Sequence, residues 1–275
     1  MTWFVDYRLN SSVSVADRAF SYGDGVFETI RVIPQCFFQL NDHLSRMYRG
    51  LTKLGMPLSF EQKQNLTRFL HDTVLPFIDR ESVVKIIVSR GEGGRGYLPP
   101  IDSNHTIVIG ILTAPDYQTI RKSGVSLSIS PVPVNKNRFL AGIKHLNRLE
   151  NIVAKRFLLS PDFEAIMLSS DQRVIECIQS NLFWFKSGIL YTPALSEAGV
   201  QGTFRQAILK EQTAYVVQIG NFGLSEVKSA DEVFISNSLM GIVPVTAVGG
   251  LSLPIGIHTR KLQKLMQSKD VHAVL

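Results

Sequence analysis

The chain has 275 residues, 45% hydrophobic and 19% charged, which is enough apolar material for one large core or two smaller ones and far from a disordered composition. Its net charge is +6, but Lys and Arg are scattered without a block of five like charges. Such an excess gives little support to nucleic-acid binding and suits a small anionic ligand equally well. No apolar run approaches the roughly 18 residues of a membrane span. The N-terminus MTWFVDYRLN lacks a signal-peptide pattern. Cys36 and Cys177 belong to no CxxC pair, and the six histidines show no zinc spacing. A reduced, cytoplasmic compartment is expected, with no membrane, disulfide or metal site.

The first predicted element is a strand over residues 26–33, with a turn at Pro34 and Gln35 and a return over 36–39. A helix starts at Asn41 and Asp42, keeps Leu44, Met47, Leu51 and Leu54 at helical spacing, and stops at Gly55. A second helix is expected over 60–75, ended by Pro76. Strands over 82–89 and 105–113 follow, then a polar linker at 116–123. After a strand over 125–129, a helix follows Lys144, with Leu146, Leu149, Val153 and Phe157 on one face. Strands are expected over 164–169, 173–178, 181–185, 189–192 and 232–236, with helices over 204–212 and from His258 onward. Strands in runs with helices set apart imply an α+β class. Two domains are expected: a smaller one over 1–115 and a larger one over 124–275 carrying Lys144.

Three features bear on chemistry. The segment from Gly91 to Gly96, GEGGRG, matches the dinucleotide fingerprint GxGxxG, but Tyr97-Leu98-Pro99-Pro100 cannot open the helix that fingerprint requires. The loop reads instead as a surface hairpin, or as a mobile lid with Arg90 or Arg95 clamping a carboxylate. Glu176 lies in the apolar run VIECI, where a carboxylate must be paired or neutralised. Lys144 follows the apolar Leu140-Ala141-Gly142-Ile143. Each alone reads as a surface charge, and the two together could form a structural ion pair. Pyridoxal phosphate accounts for more: it needs a lysine, a carboxylate at its ring nitrogen and a phosphate cup. The cup could come from the amides at Gly202-Thr203-Phe204-Arg205, the hydroxyls of Ser236-Asn237-Ser238, and Arg46.

The stretches ECIQSNLF (176–183), YTP (191–193), GTFR (202–205), DRAFSYGDGVFET (17–29) and HLSR (43–46) resemble the class IV aminotransferase family, the fold-type IV pyridoxal phosphate enzymes. That family includes branched-chain and D-amino-acid aminotransferases and aminodeoxychorismate lyases. SRGEGGRGY (89–97) and LAGIKHLNRLE (140–150) look most like the lyases. The resemblance implies a two-domain, D-amino-acid aminotransferase-like fold and a homodimer. It also implies pyridoxal 5'-phosphate held by Lys144, Glu176, Arg46, the amides of Thr203 and Phe204, and the Ser238 hydroxyl. The implied reaction converts 4-amino-4-deoxychorismate to 4-aminobenzoate and pyruvate in folate synthesis, downstream of an aminodeoxychorismate synthase. Lys144 would be the base. Thr29 is a candidate proton relay to the leaving group, with a plain strand threonine as the alternative. Arg90, Arg95 and Tyr97 are candidates for the substrate carboxylates. Many relatives carry a threonine where Phe204 stands, so contact there would be through the amide alone. The tyrosine that aminotransferases place before the strand at 165–169 is missing from Pro161-Asp162-Phe163-Glu164. A D-amino-acid or branched-chain aminotransferase is the alternative enzyme, and a nucleotide-binding or non-enzymatic protein is the alternative class.

Overall fold

A computed structural model describes residues 1–272. Two compact units divide the chain. Among the described residues, the first comprises Met1–Pro115 together with Ile143–Asn147; the second comprises Asp116–Gly142 and 148–272.

In the first unit, β1 (Thr2–Val5), β2 (Arg8–Leu9), β3 (Gly25–Ile33), β4 (Cys36–Phe37), β5 (Ser82–Ser89) and β6 (Thr106–Thr113) form a six-stranded antiparallel sheet in the order β2-β1-β6-β5-β3-β4. Alternation along β3 buries Val26, Glu28, Ile30 and Val32 and leaves Phe27, Thr29 and Arg31 on the other, partly exposed face. A one-turn helix α1 (Arg18–Tyr22) is capped by Asp17, whose carboxylate accepts from the Ala19 amide. Helix α2 (Leu40–Lys53) buries Leu40, Leu44, Met47 and Leu51, and also His43, Arg46 and Gly50, so it covers the sheet with a wide stripe. Helix α3 (Phe60–Phe69) starts with a Ser59–Gln62 capping box. The expected single helix over 60–75 ends early: a π turn at Leu70–Val74 and a 3-10 turn at Leu75–Phe77 replace its last part. Pro76 lacks an amide and crowds the carbonyl four residues back, so the backbone widens before it.

The second unit begins with α4 (Gln118–Ser123), which occupies the expected linker. Its sheet has nine strands: β7 (Val125–Ile129), β8 (Glu164–Leu168), β9 (Val174–Cys177), β10 (Asn181–Lys186), β11 (Ile189–Pro193), β12 (Val217–Gly220), β13 (Glu232–Asn237), β14 (Gly241–Val248) and β15 (Leu251–Ser252). Their order is β12-β11-β10-β13-β14-β7-β8-β9, with β15 on β14. Its helices are α5 (Leu149–Arg156), α6 (Thr203–Glu211), α7 (Leu224–Lys228) and α8 (Ile257–His272). β14 is central despite Pro244, and its register on β7 shifts between Val245 and Ala247, the irregularity at which a sheet tolerates proline. The last residues of the expected second domain, 273–275, lie outside the described residues.

Two expectations near Lys144 are corrected. No helix follows it directly, because the backbone around Lys144 and His145 bridges to β3. The Phe27 amide donates to the Lys144 carbonyl at 2.9 Å and the Leu146 amide to the Gly25 carbonyl at 3.0 Å. Those bonds place the Lys144 segment in the first unit, not the second. Helix α5 begins only at Leu149 and buries Ala154; Leu149, Val153 and Phe157 stay exposed instead of facing a core.

Candidate active site

In the first unit, backbone pairing to β3 fixes Lys144. Its half-buried ammonium rests 4.3 Å from the centroid of the Phe27 ring, a cation–π contact. Thr29 lies two residues further along the same strand face. On the opposite face Glu28 is fully buried. Arg46 grips its carboxylate with two nitrogens: Nε donates to Oε1 at 2.8 Å and Nη2 donates to Oε2. His43 Nδ1 lies 2.7 Å from the same Oε2. Burial alone would raise the Glu28 pKa, but the Arg46 charge and hydrogen bonds, with His43, hold it down at about 2. Burial depresses the pKa of His43. Arg46 is thus set in one orientation by an ionised partner.

The Gly-rich loop is tied down from β3 and α1. Asp24 accepts from Arg18 Nε at 2.9 Å and from Arg90 Nε and Nη2 at 2.8 and 3.1 Å. Burial works against the Asp24 charge, and the two arginines prevail and lower its pKa. Arg18 Nη1 reaches the carbonyls of Gly93 and Gly96 at 3.2 and 3.1 Å. Gly91 has φ +83°, and a Cβ there would come within 1.7 Å of the Asn104 carbonyl oxygen, so this glycine is demanded by local backbone and not by a phosphate. The next regular element is β6, so the helix a dinucleotide fingerprint needs is absent.

Arg90 differs from expectation. It is buried, and its guanidinium nitrogens donate twice to Asp24, to the Leu54 and Gly55 carbonyls and to Ser103 Oγ. These five bonds use its full complement of donors, so gripping a substrate carboxylate would mean breaking the loop anchor. Arg95 and Tyr97 are exposed, with the Tyr97 ring 5.7 Å from that of Tyr22.

In the second unit, Glu176 is buried on β9 and its Oε2 accepts from the Val200 amide at 2.9 Å. Gly199, at φ +78°, lets that amide approach, since a Cβ there would sit 3.2 Å from the Glu176 carboxyl carbon and closer still to Leu195 and Ile175. Arg205, which motif reading left without a role, is a buried cation whose charge interacts with Glu176. It donates to the Pro193 carbonyl at 3.0 Å, and burial lowers its pKa to about 10. Asn181 Nδ2 donates to the Val200 carbonyl at 2.9 Å.

Helix α6 starts at Thr203 behind Gly202, an N-cap residue with no side chain to offer its first amides. Thr203 and Phe204 are buried there, and the Phe204 ring belongs to an apolar cluster, which leaves only its amide for polar contact. At the end of β13, Ser236 Oγ is fully buried and has no hydrogen-bond partner among the described residues. The next turn carries Ser238 and is shaped by Asn237 Oδ1, which accepts from the Leu239 and Met240 amides at 3.0 and 2.9 Å. A helix N-terminus that follows a glycine and an orphaned hydroxyl in one unit fit an anionic phosphate, and a buried carboxylate backed by an arginine fits a protonated ring nitrogen. Among the described residues no cluster suits a metal ion.

A family model for class IV amino-transferases matches residues 25–248. The aminodeoxychorismate lyase of Vibrio harveyi is 34% identical over 259 residues, covering 91% of this chain and 94% of that protein. A D-alanine aminotransferase of Listeria monocytogenes is 30% identical over 274 residues, with 97% and 93% covered. Among solved structures, the 4-amino-4-deoxychorismate lyase of Pseudomonas aeruginosa superposes with a TM-score of 0.91 at 35% identity, covering 97% of this chain and 98% of that one. This chain therefore belongs to the class IV aminotransferase family, the fold-type IV enzymes that use pyridoxal phosphate.

Proposed function

We propose that the protein is an aminodeoxychorismate lyase, releasing 4-aminobenzoate and pyruvate from 4-amino-4-deoxychorismate. The observation that carries this reading is the β3 face on which Phe27, resting against the Lys144 amine, is followed by Thr29. Aromatising elimination takes a proton from C4 and expels an oxygen leaving group from C3, so a base and a second proton-handling group suit it. The 34–35% identity to lyases along nearly the whole chain supports the same reading.

Bound pyridoxal phosphate supplies an electron sink for charge developing on the substrate. Lys144 would hold the cofactor, and its amine would take the C4 proton. Glu176 keeps a proton on the ring nitrogen. Arg46, the Thr203 and Phe204 amides and the Ser238 hydroxyl hold the phosphate. Thr29 delivers a proton toward the departing enolpyruvyl oxygen, and Arg95 and Tyr97 meet the substrate carboxylates.

A homodimer is part of the proposal, supported by the apolar α5 face, where Leu149 and Phe157 are 74% and 60% exposed. Sedimentation of the wild type should give a dimer, and Phe157→Glu should weaken it. A cytoplasmic location is supported by Cys36 and Cys177 forming no disulfide. Among the described residues no helix is long and apolar enough to cross a membrane. Substrate supply by an aminodeoxychorismate synthase completes the reading.

The test is purified enzyme with pyridoxal phosphate and freshly made aminodeoxychorismate, followed by 4-aminobenzoate fluorescence without any keto acid. Product release is expected. Amino-group exchange with keto acids in its place would move the protein to the D-amino-acid or branched-chain aminotransferases, which the 30% identity to a D-alanine aminotransferase supports as the second reading.

A further inference from the structure

Glu164 has no part in the chemistry above, yet it is the first residue of β8 and is completely buried. Its Oε2 accepts from Ser180 Oγ at 2.9 Å and from the Gln179 amide at 3.3 Å. Its Oε1 is sealed from solvent with no partner among the described residues. The turn it grips joins β9, which carries Glu176, to β10, which starts at Asn181. That turn is held on other sides too. The Ile178 carbonyl accepts from Asn151 Nδ2 at 2.7 Å, and the Gln179 carbonyl accepts from Asn237 Nδ2 at 3.3 Å. Asn237 in turn shapes the loop bearing Ser238. Asn181, next to Ser180, holds the Val200 carbonyl, and the Val200 amide holds Glu176. A chain of hydrogen bonds therefore runs from one buried carboxyl to the ring-nitrogen carboxylate on one side and to a phosphate hydroxyl loop on the other.

We infer that Glu164 is a positioning residue: its carboxyl clamps the Gln179–Ser180 turn and thereby sets both Glu176 and the Ser238 loop for the cofactor. This rests on Glu176 and Ser238 serving pyridoxal phosphate as proposed. Three titratable groups face Glu164 from neighbouring elements. They are Tyr117 before α4, Cys177 on β9 and Lys155 on α5. Lys155 is the one cation among them; it is exposed, and its ammonium contacts the Phe163 carbonyl at 3.3 Å. Burial without a close cation raises the Glu164 pKa from 4.5 to about 7, so the carboxyl is largely a neutral acid below that pH and ionises through neutrality. Deprotonation strengthens the two bonds to Oε2 but leaves a buried charge with no cation within hydrogen-bond reach, which destabilises the fold around the clamp. The folded state binds more protons than the unfolded chain between about 4.5 and 7, so this group's contribution to stability falls as pH rises through that window.

The experiment uses apo protein of wild type, Glu164→Gln and Glu164→Ala. Pyridoxal phosphate is titrated back and followed by the absorbance of the lysine-bound cofactor, with thermal unfolding of each apo form at pH 5 and pH 8. Glu164→Ala should bind the cofactor about tenfold more weakly, the loss expected for one or two hydrogen bonds to the turn. Glu164→Gln, neutral at every pH, should bind as the wild type does at pH 5, unfold with it at pH 5, and unfold several degrees above it at pH 8. Wild-type affinity should weaken from pH 6 to pH 8.5 relative to Glu164→Gln. A folded Glu164→Ala with wild-type affinity overturns the inference. If Glu164→Ala does not fold, parallel pH profiles of affinity and unfolding in wild type and Glu164→Gln overturn it instead. A wild type that binds pyridoxal phosphate but releases no 4-aminobenzoate defeats the proposed reaction and leaves this inference standing.

Discussion

Two glutamates lie fully buried in this chain, one in each unit, and they behave in opposite ways. Glu28 faces Arg46 and His43 and is held ionised, with a pKa of about 2. Glu164 has a serine hydroxyl and one amide for partners and is pushed up to about 7. Burial is near total in both, so depth does not decide the charge state; a cation within hydrogen-bond reach does. The first unit uses an ion pair to fix the arginine that the proposed function assigns to a phosphate. The second keeps a near-neutral acid to fix a turn.

The largest effect should come from breaking the charged member of this comparison. Arg46→Ala strands an ionised carboxylate and should cost about 3–5 kcal/mol at pH 7, read by denaturant unfolding. Adding Glu28→Gln to that variant should recover part of the loss, because the buried charge is gone. Glu28→Gln alone should also destabilise at neutral pH, because Arg46 is left buried without its carboxylate. The sign is opposite to that of Glu164. A depressed carboxyl stabilises fully above its unfolded value of 4.5, and that stability is lost as pH falls through about 2. The wild type should therefore lose stability between those values while Glu28→Gln stays flatter.

Within the first unit a second contrast separates pinned from exposed groups. Thr29→Val should leave the melting temperature within about 2 °C of wild type and lower lyase kcat by roughly 100-fold or more, the usual worth of a positioned proton donor. Unchanged kcat would return Thr29 to a plain strand role. Arg95→Ala should raise KM by about tenfold with little change in stability, as expected for loss of one exposed charged contact. Arg90→Ala should instead destabilise, because Arg90 anchors Asp24 and two carbonyls. A pure KM effect at Arg90 would reverse that assignment.

What was legible from sequence follows from locality. The strand over 26–33 and the helix carrying Leu44, Met47 and Leu51 declare themselves through apolar period, and β3 and α2 are where that period puts them. The GEGGRG loop could be denied a dinucleotide role from Pro99 and Pro100 alone. The bridge from His145 to β3 was not legible, because it is a contact over more than a hundred residues and overrides the local helical pattern of Leu146 and Leu149. β14 was missed because Pro244 argues against a central strand when the register shift beside it is unseen. Lys144, Glu176 and Arg46 stood out by residue type and motif. The engagement of Arg90 did not, since sequence names a donor but not its acceptors. Glu164 and Arg205 were passed over because one charge in a strand or helix start carries no signal until its surroundings are known.

The most direct test of the account is where the cofactor attaches. Holoenzyme reduced with borohydride, digested and analysed by peptide mass should carry a phosphopyridoxyl group on the peptide containing Lys144, and the Lys144→Ala protein should carry none and form no product. A label on another lysine, or product release by Lys144→Ala, would contradict the assignment on which the proposed chemistry rests.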